Sequence, residues 1–239
     1  MPVSSPYPRI ERVSESLLIV RVGAIIDLQV NHAAQVIAQR ILRADLRGVN
    51  DVAPAYASVA VRYQPRLWMG PRHDAFAAIS DALKPFLFDI TTGAEPRRLV
   101  EIPVCYGGAH GVDLAAAAET LRMTVAECIA LHVGADYRVA MLGFAPGFPY
   151  LLGLPPQLQL PRRAQPRLRV PAGSVAIGGA QTGIYPCELP GGWHLIGCTP
   201  LRLFDSAAPQ PCLLAPGDGL RFRAITPAQF DVAQRALIA

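Results

Sequence analysis

The sequence predicts an α+β protein of two units, a small ferredoxin-like α+β unit over residues 1–95 followed over 96–239 by a mainly β unit that closes into an irregular barrel. Three observations carry this. Through the first hundred residues, strand-like alternation and helical periodicity take turns. From Tyr137 onward, short apolar runs are punctuated by Gly and Pro, the texture of closely spaced strands. Between the two stands "TTGAEP" (91–96), the best candidate for a linker. With 239 residues, 51% apolar and 17% charged, the chain is long enough to core two domains and too apolar to be disordered.

In chain order, "SLLIVRVG" (16–23) reads as a strand. "NHAAQVIAQRILRAD" (31–45) places Ala34, Ile37, Ala38, Ile41 and Leu42 on one helical stripe behind an Asn31 N-cap. "AYASVAVRY" alternates again, with Ala57, Val59, Val61 and Tyr63 on one face. "HDAFAAISDALKPF" spaces Phe76, Ile79, Leu83 and Phe86 as a helix that Pro85 should end. A further strand at "RRLVEIPVCY" (97–106) completes a β-α-β-α-β order, with room in 50–63 for one more. Two short helices follow. "DLAAAAETLR" offers Leu114, Ala117, Ala118 and Leu121 as a stripe, and "TVAECIALH" opens on a capping box, Thr124 to Glu127. The barrel strands are then expected at "YRVAMLGF", "GSVAIGG", "GWHLIG", "LRLF" and "GLRFRAI".

Composition narrows the function. A net charge of +4 with scattered arginines gives little footprint for nucleic acid. No apolar run approaches the length of a membrane span, and "MPVSSPYPRIERVSES" lacks the features of a secretory leader, so the expected location is the cytoplasm. Cys105, Cys128, Cys187, Cys198 and Cys212 are odd in number, and neither they nor the five dispersed histidines show metal-ligand spacing, so no metal is expected.

The densest chemistry runs from Gly143 to Phe204. "GFAPGFPYLLGLP" (143–155) is uncharged and proline-rich. It reads as a rigid loop leaving the barrel rim, with Phe144, Phe148 and Tyr150 either walling a pocket or partner surface or plugging the core. Further on, glycine pairs sit beside Gln181, Thr182, Tyr185, Trp193, His194 and Thr199. These glycines either admit a ligand to the backbone or turn barrel corners. Gln181, Thr182 and Tyr185 are neutral groups suited to holding an amide or carboxylate. His194 is the one candidate general base, without a neighbouring carboxylate or nucleophile to support it. "PRRAQPRLR" (161–169) gathers four arginines, Arg167 among them, as a rim that could steer an acidic substrate, as a solvated loop, or as a contact with an acidic partner surface.

The order of motifs then becomes diagnostic. "IPVCYGG", "GVDL", "LGFAPGFPYLLGLP", "PRLRVPAGSVAIGGAQTGIYP", "PGGWHLIGCTPLRLF" and "LLAPGDGLRF" together resemble the family of the 5-oxoprolinase B subunit, also called allophanate hydrolase subunit 1, from about Pro8 to Phe222. That family includes the inhibitor of a sporulation histidine kinase, so the resemblance implies either one component of an enzyme or a regulatory module docking on a sensor kinase. It implies a cyclophilin-like barrel, a partner resembling the 5-oxoprolinase C subunit (allophanate hydrolase subunit 2), and a further protein resembling the A subunit. Together these would form an ATP-dependent enzyme that opens the lactam of 5-oxoproline to glutamate, with ATP used by the complex. Related paired domains in urea carboxylase pass a carboxyl group from carboxybiotin to urea. Fold alone does not carry peptidyl-prolyl isomerase activity across. The chain departs from the family's usual pattern at Ala109 and His110 after "YGG", at Val112 in "GVDL", and at Cys198, where an arginine is usual. Losing that guanidinium removes up to five donors and a charge, which Arg202 or a partner residue would have to replace.

Overall fold

The computed structural model describes residues 7–70, 74–90 and 98–236. The chain divides into two compact units, Met1–Glu95 and Pro96–Ala239. "TTGAEP" lies outside the described residues.

The first unit is one antiparallel sheet with two helices. Its elements are β1 (Arg9–Arg12), β2 (Leu17–Arg21), α1 (Leu28–Arg43), β3 (Val49–Pro54), β4 (Ser58–Tyr63) and α2 (Ala75–Leu83), with sheet order β1-β2-β4-β3. The β2-α1-β3-β4-α2 run is the core of a ferredoxin-like unit. The edge beside β2 is taken by β1, which precedes the core in sequence. Sequence reasoning gives the strand at 97–106 to this unit, but that segment enters the second unit's barrel.

Helix α1 starts earlier than expected. Asp27 is its N-cap, accepting from Gln29 N at 2.7 Å and Val30 N at 3.2 Å. Asn31 instead lies buried inside the helix and donates Nδ2 to the carbonyls of Ala55 and Tyr56, pinning α1 to the β3–β4 turn. Ala34, Ile37, Ala38 and Ile41 face the sheet, whereas Leu42, at the edge of that stripe, is largely exposed. Helix α2 ends at Leu83, and Pro85 sits in the 3₁₀ turn Lys84–Phe86 that follows.

The second unit contains β5 (Leu99–Tyr106), α3 (Leu114–Leu121), α4 (Val125–Val133), β6 (Tyr137–Leu142), β7 (Pro149–Leu152), β8 (Arg167–Val170), β9 (Ser174–Gly178), β10 (Gln181–Ile184), β11 (Leu189–Gly191), β12 (His194–Cys198), β13 (Gly219–Ile225) and α5 (Pro227–Ala236). Seven strands close the cyclophilin-like barrel in the order β10-β7-β6-β13-β5-β12-β9, and β8 pairs with β11 apart from it. All barrel pairs are antiparallel except β13 with β5.

Ile102, Val104, Val139, Leu151, Val175, Ile177, Ile196 and Phe222 fill the interior, joined by Leu114, Ala117 and Ala118 of α3 and Cys128 of α4. The capping box is present, with Glu127 N donating to Thr124 Oγ1 and Thr124 N donating to Glu127 Oε2. "LRLF" forms no strand. It makes a single bridge, Phe204 to Cys212, because Pro200 interrupts the ladder before it. Helix α5 is an addition to the expected elements, and Thr226 and Gln229 cap it reciprocally.

"GFAPGFPYLLGLP" is only half a loop. Its second half is β7, which begins at Pro149, a strand start where a proline is tolerated. Phe144, in the first half, is held at φ +68°.

A candidate cleft on the outer wall of the barrel

Strand alternation sends neighbouring residues of β7, β9 and β10 to opposite faces. Leu151, Ile177 and Thr182 are cross-strand partners facing inward. Tyr150, Ala176 and Gly183 are partners facing outward. On the outer face, Phe148, Tyr185 and Trp193 join Val170, Ala176 and Leu195 in a second buried cluster, with Tyr150 packed against it. Phe148 stands edge-on to Tyr185, with centroids 5.2 Å apart and planes at 89°, and to Trp193 at 5.8 Å and 77°.

Glycine makes room for each ring. A Cβ on Gly178 would lie 2.4 Å from Trp193, one on Gly191 2.2 Å from the Tyr185 hydroxyl, and one on Gly183 3.0 Å from Phe148. The choice between ligand approach and barrel corners therefore has a third answer, since these glycines seat aromatic side chains. They also offer no phosphate cradle. The Gly179 N–H is spent on the Leu160 carbonyl.

The rings bound a cleft of about 250 Å³ with Phe144, Arg162, Arg163 and Pro166 at its edge. Phe144 is 60% exposed and meets Phe148 edge-on at 5.5 Å. Burial pushes the Tyr150 and Tyr185 hydroxyls up, and the Arg162 charge opposes that rise at both.

Asp113, from "GVDL", fixes the basic edge and is missed by sequence reasoning. Its buried carboxylate accepts from Arg167 at 2.6 and 2.8 Å, from Arg163 at 3.1 Å and from Leu195 N at 2.7 Å. Burial alone would raise its pKa, but the Arg167 hydrogen bonds, the Leu195 N–H and the charges of Arg167 and Arg163 together hold it below the usual range. The only cue in sequence is a lone Asp in a short motif, because its partners lie 50 to 82 residues away.

The other expected site residues are dispersed. Thr182 points into the barrel, where its hydroxyl donates to the Ala176 carbonyl at 2.9 Å. That leaves its oxygen to accept from His132 Nε2 at 3.4 Å, so His132 Nδ1 accepts from the Tyr106 hydroxyl at 2.7 Å. Burial lowers the His132 pKa to about 3, keeping this inner network neutral. Gln181 lies at the outer end of β10 on the opposite face from Thr182. Thr199 is buried and accepts from Leu201 N. His194 shares its Nε2 with the Pro161 carbonyl at 2.8 Å, and Arg167 is committed to Asp113. Phe148, Tyr150, Tyr185 and Trp193 come together, with Phe144 beside them.

Cys198 lines a separate, wider cavity of about 530 Å³. Burial pushes its thiol up to about 11, so it remains protonated. Arg202, lining the same cavity, is paired with Asp205 at 2.8 Å, and Glu188 lies 3.7 Å from Arg169.

Residues 8–214 match the family model described as "Carboxyltransferase domain, subdomain C and D". The chain is 39% identical over 221 residues to the B subunit of 5-oxoprolinase from Bacillus subtilis (strain 168), covering 90% of this chain and 91% of that one. It is 46% identical over 187 residues to the B subunit of 5-oxoprolinase from Escherichia coli O157:H7, covering 78% and 82%. Among solved structures, TTHA0988 matches with a TM-score of 0.76 and 38% identity over 87% of this chain, which spans only 40% of that longer one.

Proposed function

Because the chain belongs to the carboxyltransferase subdomain C and D family, we propose that it is the B subunit of a 5-oxoprolinase-type complex, hydrolysing 5-oxoproline to glutamate at the expense of ATP. Its relatives named as 5-oxoprolinase B subunits align over 78% and 90% of the chain, which supports this assignment. The observation that carries the chemical reading is the outer cleft. It is small, walled by Phe148, Tyr150, Tyr185 and Trp193, and bordered by guanidinium groups. Such a cleft suits a single small ring carrying an anionic group.

Within this reading, the chain's own residues bind and exclude water. The aromatic wall is pre-formed, so little side-chain entropy is lost when a ring enters. The hydroxyls of Tyr150 and Tyr185, held protonated by burial, are suited to donating to a lactam carbonyl. No group among Phe144, Phe148, Tyr150, Tyr185 and Trp193 is a base, so within this reading the cleft binds the ring and does not itself abstract a proton, and ATP is used by the complex. The proposed partners are a protein like the 5-oxoprolinase C subunit, expected to complete the substrate site, and one like the A subunit.

Co-expression with the two partners tests this. A stable complex should form and release glutamate from 5-oxoproline only when ATP and all three proteins are present. An assembled complex that leaves 5-oxoproline intact would refute the activity.

A further inference from the structure

The four arginines of 161–169 are not equivalent. Arg163 and Arg167 converge on the buried Asp113, which spends their charge on holding the edge of the cleft in place. Arg169 points toward Glu188. Arg162 lines the aromatic cleft, has no carboxylate partner among the described residues, and is near enough to Tyr150 and Tyr185 for its charge to act on both hydroxyls. Beside it, Arg163 Nε is buried without a hydrogen-bond acceptor among the described residues. The cleft thus has an apolar wall, an uncompensated positive charge at one edge and no lining carboxylate. The other large polar cavity carries the opposite arrangement. Its lining holds the protonated Cys198 thiol, and its Arg202 is already paired with Asp205.

From this contrast we infer that Arg162 is the anion-recognition residue of the cleft, gripping the carboxylate of a small ring compound whose flat face lies against Tyr150 and Trp193. On the function proposed above, on which the choice of ligand rests, that compound is 5-oxoproline. Arginine suits the task because its planar fork meets a carboxylate with two parallel hydrogen bonds, and the exposed Arg162 can swing over the cleft mouth to make them. A nucleotide phosphate presents similar anionic oxygens, but a cleft of about 250 Å³ is below the usual size of a drug-sized ligand's pocket and accommodates a five-membered ring far better than a nucleotide.

Two measurements on the full chain separate these cases. The Trp193 indole N–H signal is followed in ¹H–¹⁵N spectra during titration with 5-oxoproline, with 2-pyrrolidinone (the same lactam ring without the carboxylate) and with a non-hydrolysable ATP analogue. 5-Oxoproline should move the signal at a concentration roughly two- to fivefold lower than 2-pyrrolidinone, the range expected for an ion pair made by an exposed arginine. Arg162→Gln should abolish that preference while leaving 2-pyrrolidinone unaffected, and Arg162→Lys should restore part of it. In the reconstituted three-protein complex, Arg162→Gln should raise KM for 5-oxoproline by a similar factor with KM for ATP unchanged. Equal response to the two lactams, or a preference for the ATP analogue lost in Arg162→Gln, overturns the assignment even if the complex is active. A complex without turnover overturns the proposed activity instead, and the titration still decides the role of Arg162.

Discussion

The barrel wall formed by β7, β9 and β10 has two faces built from the same strands, and they solve opposite problems. The inner face is sealed by aliphatic side chains, and its polar member Thr182 is satisfied, with His132 of α4 and Tyr106 of β5, without a net charge. On the outer face, glycines replace aliphatics, aromatic rings occupy the space, and charge is concentrated on one buried carboxylate with its arginines. Alternation along a strand is therefore enough to place a neutral core and a charged, ring-lined cleft a single residue apart. Stability should depend on both faces, and ligand binding on the outer one alone.

The largest expected effects test whether the outer face is a true second core. Phe148 is almost wholly buried, so Phe148→Ala should cost roughly 3–5 kcal/mol, as large aromatic truncations in cores do. Of the two roles the sequence leaves open for this ring, wall or core plug, such a loss would assign it to the core. Asp113→Ala should cost a comparable amount, roughly 3–5 kcal/mol, by leaving Arg163 and Arg167 partly buried without their carboxylate. Urea denaturation of both variants would show it. A loss below about 1 kcal/mol in either would make the outer cluster a surface feature.

Acid distinguishes the two faces next. His132 has a folded pKa of about 3, below its ordinary 6.5, so between those values the unfolded chain binds the extra proton. Stability is intact above the ordinary histidine value and falls by about 1.4 kcal/mol per pH unit as the medium is acidified through that window. Asp113 has its folded pKa depressed as a carboxylate, so its contribution is present above the ordinary Asp range and is lost only on descending through and below it. Acid should thus weaken the interior first and the outer edge second. His132→Phe should flatten the slope between about pH 6 and 4 by one proton, whatever it does to stability at neutral pH. An unchanged slope would mean that the inner histidine accepts a proton without cost.

A smaller effect sharpens the role of glycine. Gly178→Ala introduces a methyl 2.4 Å from the Trp193 ring, which must swing into the cleft, at about 1–3 kcal/mol for an overpacked site. The Trp193 indole signal should shift in the unliganded variant, and ligand response should drop more than stability does.

How much of this is legible in the sequence follows from the range over which each feature is encoded. The capping box of α4 and the stripe of α3 are local, and they stand where their spacing puts them. The gathering of Phe148, Tyr150, Tyr185 and Trp193 is also readable, because large rings among glycines in strand-forming sequence have few places to go. The place of β5 is not, since its parallel partner β13 lies about 120 residues further along the chain and leaves no trace near residues 97–106. Gln181 and Thr182 read as one recognition set because they are adjacent, and adjacency in a strand is what separates them. The commitment of Arg167 to Asp113, 54 residues away, likewise has no local signature.

The smallest expected effect on stability bears most directly on the cleft. Phe144 is a bulky residue held at φ +68°, a conformation costing roughly 1–2 kcal/mol for an L side chain, and most of its ring is in solvent. Phe144→Gly relieves that strain and forfeits the edge contact with Phe148, which is worth about 0.5–1.5 kcal/mol. The two nearly cancel, so the midpoint of thermal unfolding should move by only a few degrees. Folding therefore gives little reason to keep a phenylalanine there, and its place at the mouth of the cleft gives one. The variant should weaken the 5-oxoproline response of Trp193 several-fold at near-constant stability. A loss of more than about 2 kcal/mol with ligand response intact would return Phe144 to the core and leave the cleft walled by Phe148, Tyr150, Tyr185 and Trp193 alone.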